Sequence, residues 1–241
     1  MKNHPQIKVC GLTQAKQAIF CADLGVDAIG LVFFAKSPRY LTKKQAALIC
    51  RAVAANITKV GVFVNESFEN IMEHVEYCGL DAVQLHGNES NALICRLQEQ
   101  KNQKGQKNQK DQKIKIIKAL FDGRRPDLKT ASSYSADAYL VECGKGEQPG
   151  GNALEWDWGA AKKLTTRQPL IIAGGLRPDN VSQAILASLP HAVDVSSGVE
   201  EKPGIKDLAK VKAFVKAVKN TQTQSKKLIE GEFFNVSPFE H

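Results

Sequence analysis

No apolar run in this chain approaches the roughly 18–20 residues a membrane-spanning helix needs, and the polar Met1–Gln6 stretch carries no apolar core of a secretory signal. Residence in the cytoplasm is therefore the expectation. No C-x-x-C pair occurs among Cys10, Cys21, Cys50, Cys78, Cys95 and Cys143, which argues against a zinc ribbon or a thioredoxin-like redox motif. No His/Asp/Glu spacing resembles a metal site either. In a chain this long without an export signal the cysteines are expected as small buried apolar residues, not disulfides, and any exception needs a positional reason. The Gly-x-Gly-x-x-Gly turn of dinucleotide-binding sheets is missing after the first apolar run, where Cys10-Gly11-Leu12-Thr13 stands instead.

What is present is ordinary for a folded protein: 43% hydrophobic and 24% charged residues over 241 positions. The formal charge of +8 invites a nucleic-acid reading. Much of it sits in Gln98–Lys113, QEQKNQKGQKNQKDQK, where five Lys face Glu99 and Asp111. That stretch lacks the Arg and aromatic residues that strand- and groove-binders interleave with charge. It reads as a solvated insertion rather than a binding arm, so no nucleic acid is expected as partner; a basic nucleic-acid-associated barrel using this loop is the non-enzyme alternative.

Eight short apolar runs recur: 7–10, 28–33, 59–64, 82–85, 114–120, 138–141, 170–173 and 192–195. Being nearly continuous rather than alternating, they read as parallel strands buried on both faces. Helix-like segments lie between them. Thr13 is the expected N-cap of a helix to Leu24 with Ala15, Ala18, Ile19 and Ala22 on one face, and Thr42 with Gln45 makes a capping box. Pro178 should open a helix to Leu189, and Leu208, Val211, Val215 and Val218 form the stripe of the last one. Between the fifth and sixth strands only 126–133 looks helical. Eight β–α units predict a single-domain (β/α)8 barrel over 1–219, interrupted at 98–113; the tail 220–241, with Phe233, Phe234 and Phe239, either packs on the barrel or is disordered.

Barrel enzymes place their chemistry at the carboxyl ends of the strands. Those ends offer Cys10 after strand one, Arg39 after strand two, His86 after strand four and Glu142 at the end of strand six. Gly174 and Gly175 follow strand seven, and Asp194, Ser196, Ser197 and Gly198 close strand eight. The last two turns suit a phosphate, because glycines allow close backbone approach and N–H groups can converge on an anion. An acid in an apolar strand is rarely a core residue, although Glu142 would also suit a rim salt bridge, leaving Asp194 as the rival acid. Arg39 has the planar fork that matches a carboxylate.

At these residues the sequence resembles the phosphoribosylanthranilate isomerase family over about residues 6–219. The resemblance rests on Lys8–Thr13, Gly30–Phe33 with Ser37–Tyr40, Gly61–Asn65, Val83–Gly87, Ala173–Leu176 with Asn180-Val181, and Val193–Glu200. It implies a cofactor-free Amadori rearrangement of N-(5-phosphoribosyl)anthranilate in tryptophan biosynthesis, with a small-molecule substrate and no membrane partner, by a monomer or homodimer. It also implies Cys10 as general base, Glu142 as general acid and Arg39 as the contact for the anthranilate carboxylate. A thiolate can act as base if its pKa, about 8.5 when unperturbed, is lowered locally. The family has Asp where this chain has Glu142, followed by Gly-Gly-Thr/Ser-Gly and Phe-Asp-Trp; here Gly150-Gly151-Asn152-Ala153 and Trp156-Asp157-Trp158 follow. The alternative enzyme is a related phosphate-binding barrel such as the histidine-pathway aminoaldose isomerase, expected to carry an aspartate where Cys10 stands.

Overall fold

The structure, a computed structural model, describes residues 4–100, 114–145, 154–164, 168–221 and 233–234. The predicted insertion from 101 onward, the 150–153 loop and most of the tail lie outside the described residues.

Strands β1 (Gln6–Cys10), β2 (Ala28–Val32), β3 (Thr58–Phe63), β4 (Ala82–Leu85), β5 (Lys115–Asp122), β6 (Ala138–Cys143), β7 (Leu170–Ile172) and β8 (Ala192–Val195) close into one parallel barrel. Closure runs through β1 on β8, with Lys8 in register with Asp194, and β1 on β2, with Cys10 opposite Gly30. Parallel neighbours require crossovers. These are supplied by α1 (Ala15–Asp23), α2 (Lys43–Ala52), α3 (Phe68–Cys78), α4 (Asn91–Glu99) and α5 (Val181–Ser188), with α6 (Leu208–Asn220) after β8. Units five and six carry 3-10 turns instead, Leu128–Ser133 and Trp158–Leu164. An antiparallel hairpin of β9 (Glu200–Lys202) and β10 (Ile205–Lys206) follows β8.

Four helix details differ from expectation. Thr13 does not cap α1: its hydroxyl donates to the Gly204 carbonyl, and Gln14 holds the N-cap position without a side-chain bond. The face of α1 turned inward is Gln17, Ala18 and Cys21, leaving Ile19 40% exposed, because the Gln17 amide binds the Lys206 carbonyl. α5 begins at Val181, three residues after Pro178, since Asn180 uses its side chain to accept the Arg177 N–H. Leu208, at the first turn of α6, is exposed while Val211, Phe214, Val215 and Val218 are buried. The Thr42–Gln45 capping box on α2 forms as expected.

Side chains alternate inward and outward along each strand. The inward set is small and apolar toward the strand N-termini, with Ala28, Val60, Ala82, Ala138 and Ala192 packed on Phe233 and Phe234 of the tail. Toward the carboxyl ends it turns polar. Lys8, Gln84, Glu142 and Asp194 are all buried there. That gradient puts the chemistry at one mouth and the packing at the other.

Candidate active site

Cys10, Arg39, His86, Glu142, Gly174, Gly175, Asp194, Ser196, Ser197 and Gly198 all line one pocket at the carboxyl ends of the strands. Cys10 reaches it because β1 ends there and because Gly30 faces it: a Cβ at Gly30 would stand 2.5 Å from the thiol sulfur. Burial pushes the Cys10 thiol above its ordinary pKa; the positive charges of Lys8 and Lys206 oppose this, and Asp194 reinforces it. The local lowering expected from the sequence is therefore outweighed by desolvation. Lys8, fully buried, gives its ammonium to Asp194 Oδ2 at 2.6 Å. Burial works against that ammonium, but Asp194 prevails and Lys8 stays charged, its pKa raised. Asp194 Oδ1 has no partner among the described residues.

Glu142 sits on β6, three strands round the barrel from Cys10. The rim salt bridge weighed as its alternative does not form with any Lys or Arg among the described residues. Its Oε1 lies 2.9 Å from His86 Nε2, and His86 Nδ1 lies 2.9 Å from Gln84 Nε2. The turn carrying His86 is pinned by a buried pair: Lys118 Nζ meets Glu89 Oε2 at 2.8 Å and the Gly87 carbonyl at 2.7 Å, while Glu89 accepts the Gly87 and Asn65 N–H groups.

Arg39 is held from one side. Its Nε and Nη2 donate to Glu200 Oε1 and Oε2 at 2.8 and 2.7 Å, a fork-on-fork pair. Burial alone would raise the Glu200 pKa, but the Arg39 hydrogen bonds and the Lys206 charge bring it below the ordinary range. Two of the five guanidinium donors are so engaged, and Nη1 makes no hydrogen bond among the described residues.

The two turns after β7 and β8 are built for backbone approach. Gly174 and Gly175 have φ of +80° and +68°, and their N–H groups take no acceptor among the described residues. The Trp156 and Trp158 indoles donate to the Ala173 and Gly174 carbonyls, fixing the first turn. At Gly198 a Cβ would lie 1.8 Å from the Leu176 carbonyl oxygen, so the second turn packs directly on the first. Sequence reading left Lys8, Gln84, Glu89, Lys118, Glu200 and Lys206 without roles. For Lys8 and Lys118 a signal was present, since a lysine inside an apolar strand run must find a buried partner.

A closed parallel barrel with an ionisable cluster and glycine turns at the carboxyl ends of its strands defines a (β/α)8-barrel enzyme. The family model for N-(5'-phosphoribosyl)anthranilate isomerase matches residues 7–217. An N-(5'-phosphoribosyl)anthranilate isomerase of Desulfatibacillum aliphaticivorans is 48% identical over 216 residues, covering 90% of this chain and 94% of the relative. The crystal structure of phosphoribosylanthranilate isomerase from Thermotoga maritima superposes with a TM-score of 0.78 at 36% identity, covering 89% of this chain and 98% of the other. A structure of such an isomerase in complex with reduced 1-(o-carboxyphenylamino)-1-deoxyribulose 5-phosphate gives 0.76 at 35% identity, with the same coverage. The chain belongs to the phosphoribosylanthranilate isomerase family: it is an enzyme of tryptophan biosynthesis that isomerises phosphoribosylanthranilate from its aldose to its ketose form.

Proposed function

We propose that Cys10 and Glu142 divide the acid–base work of this isomerisation. The Glu142 carboxyl donates a proton to the furanose ring oxygen; the C1′–O bond breaks, and the anthranilate nitrogen lone pair closes a protonated Schiff base. The Cys10 thiolate then takes the C2′ proton, and the electrons of that C–H bond neutralise the iminium as an enolamine. Tautomerisation moves a proton to C1′ and leaves the C2′ ketone, so no atom is gained or lost and no cofactor is required. Arg39 receives the anthranilate carboxylate. Asp194 Oδ1 and His86 face the sugar, and the phosphate rests on Gly174, Gly175, Ser196, Ser197 and Gly198. The enzyme works on this small molecule in the cytoplasm, as a monomer or homodimer, with neither nucleic acid nor membrane as partner.

The observation that carries this reading is the convergence of a strand-end thiol and a strand-end carboxyl on one pocket that also holds both glycine turns and one edge of Arg39. All six cysteines are free thiols, which suits a reducing compartment. No helix among the described residues is long and apolar enough to cross a membrane. Cys10→Ala should lower kcat by about 10²–10⁴-fold, the usual general-base contribution. Cys21 and Cys50, on α1 and α2 with thiols pushed up by burial to about 12, are inert at neutral pH, and their Ala variants should turn over near the parent rate. Equal losses at all three positions would overturn the assignment of the base.

A further inference from the structure

Gln84 is the one amide in an apolar rung of the barrel: β3 and β5 place Val62 and Ile117 beside it in register. It is 1% exposed, and its Oε1 has no hydrogen-bond partner among the described residues. An apolar residue would fill that space without the roughly 1–3 kcal/mol an unpaired buried polar atom costs, so the other end of the amide must matter. That end, Nε2, lies 2.9 Å from His86 Nδ1.

We infer that Gln84 is a positioning residue that fixes the tautomer of His86 and thereby the support given to Glu142. This inference rests on the acid role proposed for Glu142. An amide NH2 can only donate, so the Nδ1 facing it must be the bare nitrogen and the ring proton must sit on Nε2. That Nε2–H points at Glu142 Oε1 over 2.9 Å. When Glu142 gives its proton to the substrate, the carboxylate left behind already has a charge-assisted donor in place, while the other oxygen serves the pocket. Phe121, T-shaped to the imidazole with ring centroids 5.5 Å apart, restrains the His86 ring between both contacts. The opposite amide orientation would present Oε1, move the proton to Nδ1 and turn Nε2 into an acceptor, withdrawing that donor.

The test is the nitrogen-15 spectrum of histidine-labelled full-length enzyme at neutral pH, with His86 assigned by the signal lost in His86→Asn. The parent enzyme should show a protonated Nε2 and a bare Nδ1. Gln84→Met, which keeps volume but offers no donor, should release the ring into a mixture of tautomers. Gln84→Glu, whose ionised carboxylate can only accept, should pull a proton onto Nδ1. Both should lower kcat by at least about tenfold, part of the 10²–10⁴ available to general acid catalysis, with KM little changed. A proton on Nδ1 in the parent, or a His86 signal that Gln84→Met leaves unmoved, would overturn the inference; the parent and Gln84→Met suffice if Gln84→Glu does not fold. The spectra are read on resting enzyme, so they stand or fall apart from the acid role, which turnover by Glu142→Gln tests.

Discussion

A thiol at the end of a strand is an unpromising base until its surroundings are counted. Desolvation at Cys10 disfavours the thiolate, and Lys8, locked on the same inward face by Asp194, offsets part of that cost. In the proposed base role, only the thiolate can accept the C2′ proton. With the thiol raised, the active fraction is small at neutral pH, so kcat/KM should climb with pH toward and beyond the ordinary thiol value of about 8.5. In Lys8→Met combined with Asp194→Asn the stronger, lowering influence is lost along with the weaker, raising one. The rising limb of the pH profile should move to higher pH; an unmoved limb, or one moved lower, would contradict Lys8 as the counter-charge. At this scale the sequence named Cys10, Glu142 and Arg39 from their places at strand ends. It did not reveal Gln84 or Glu200, because a hydrogen bond between β4 and β6 through His86, or a fork between Arg39 and Glu200 across 161 positions, leaves no local pattern to read.

Among the elements, the strands were legible because a parallel strand buried on both faces is a nearly continuous apolar run, and each of the eight runs overlaps a strand. Helix faces were less so. α1 turns Gln17 inward for the sake of the Lys206 carbonyl, a tertiary contact that periodicity cannot anticipate, and α6 leaves Leu208 in solvent. α2 is the clearest local success: Thr42 Oγ1 accepts the Gln45 N–H while Gln45 Oε1 accepts the Thr42 N–H. The box is exposed, and neither Thr42 nor Gln45 lines the pocket. Thr42→Ala should therefore cost about 1 kcal/mol of stability, read as a lower urea midpoint at constant slope, with kcat unchanged. A fall in kcat at full folding would mean that α2 positions the site, contrary to this reading.

The whole molecule separates its two mouths. Where the carboxyl ends hold the chemistry, the N-terminal ends are sealed by the chain's own tail: the Phe234 N–H donates to Gln6 Oε1, Thr58 Oγ1 donates to the Phe234 carbonyl, and Lys115 Nζ binds the Phe233 carbonyl. Both rings are nearly fully buried against the alanine rung. Of the two fates the sequence left open for the tail, packing is what these residues do. Phe234→Ala should remove about 2 kcal/mol, or roughly 4–8 °C in Tm for a chain of this size, without touching turnover; an unchanged Tm would show that the seal contributes nothing. Folding also brings Glu142 on β6 and Asp194 on β8 to the same mouth, and only one of them can be the acid. Asp194 Oδ2 is ion-paired to the fully buried Lys8, whereas Glu142 Oε1 faces His86 Nε2 and meets no Lys or Arg among the described residues. The most direct measurement is kcat at saturating phosphoribosylanthranilate for Glu142→Gln beside Asp194→Asn, with folding checked by circular dichroism. Gln at 142 keeps size and hydrogen bonding but cannot deliver the proton, so kcat should fall at least about 10²-fold, with the Asn variant at 194 the milder of the two. A mild Glu142→Gln beside a severe Asp194→Asn would contradict the assignment and make Asp194 the acid.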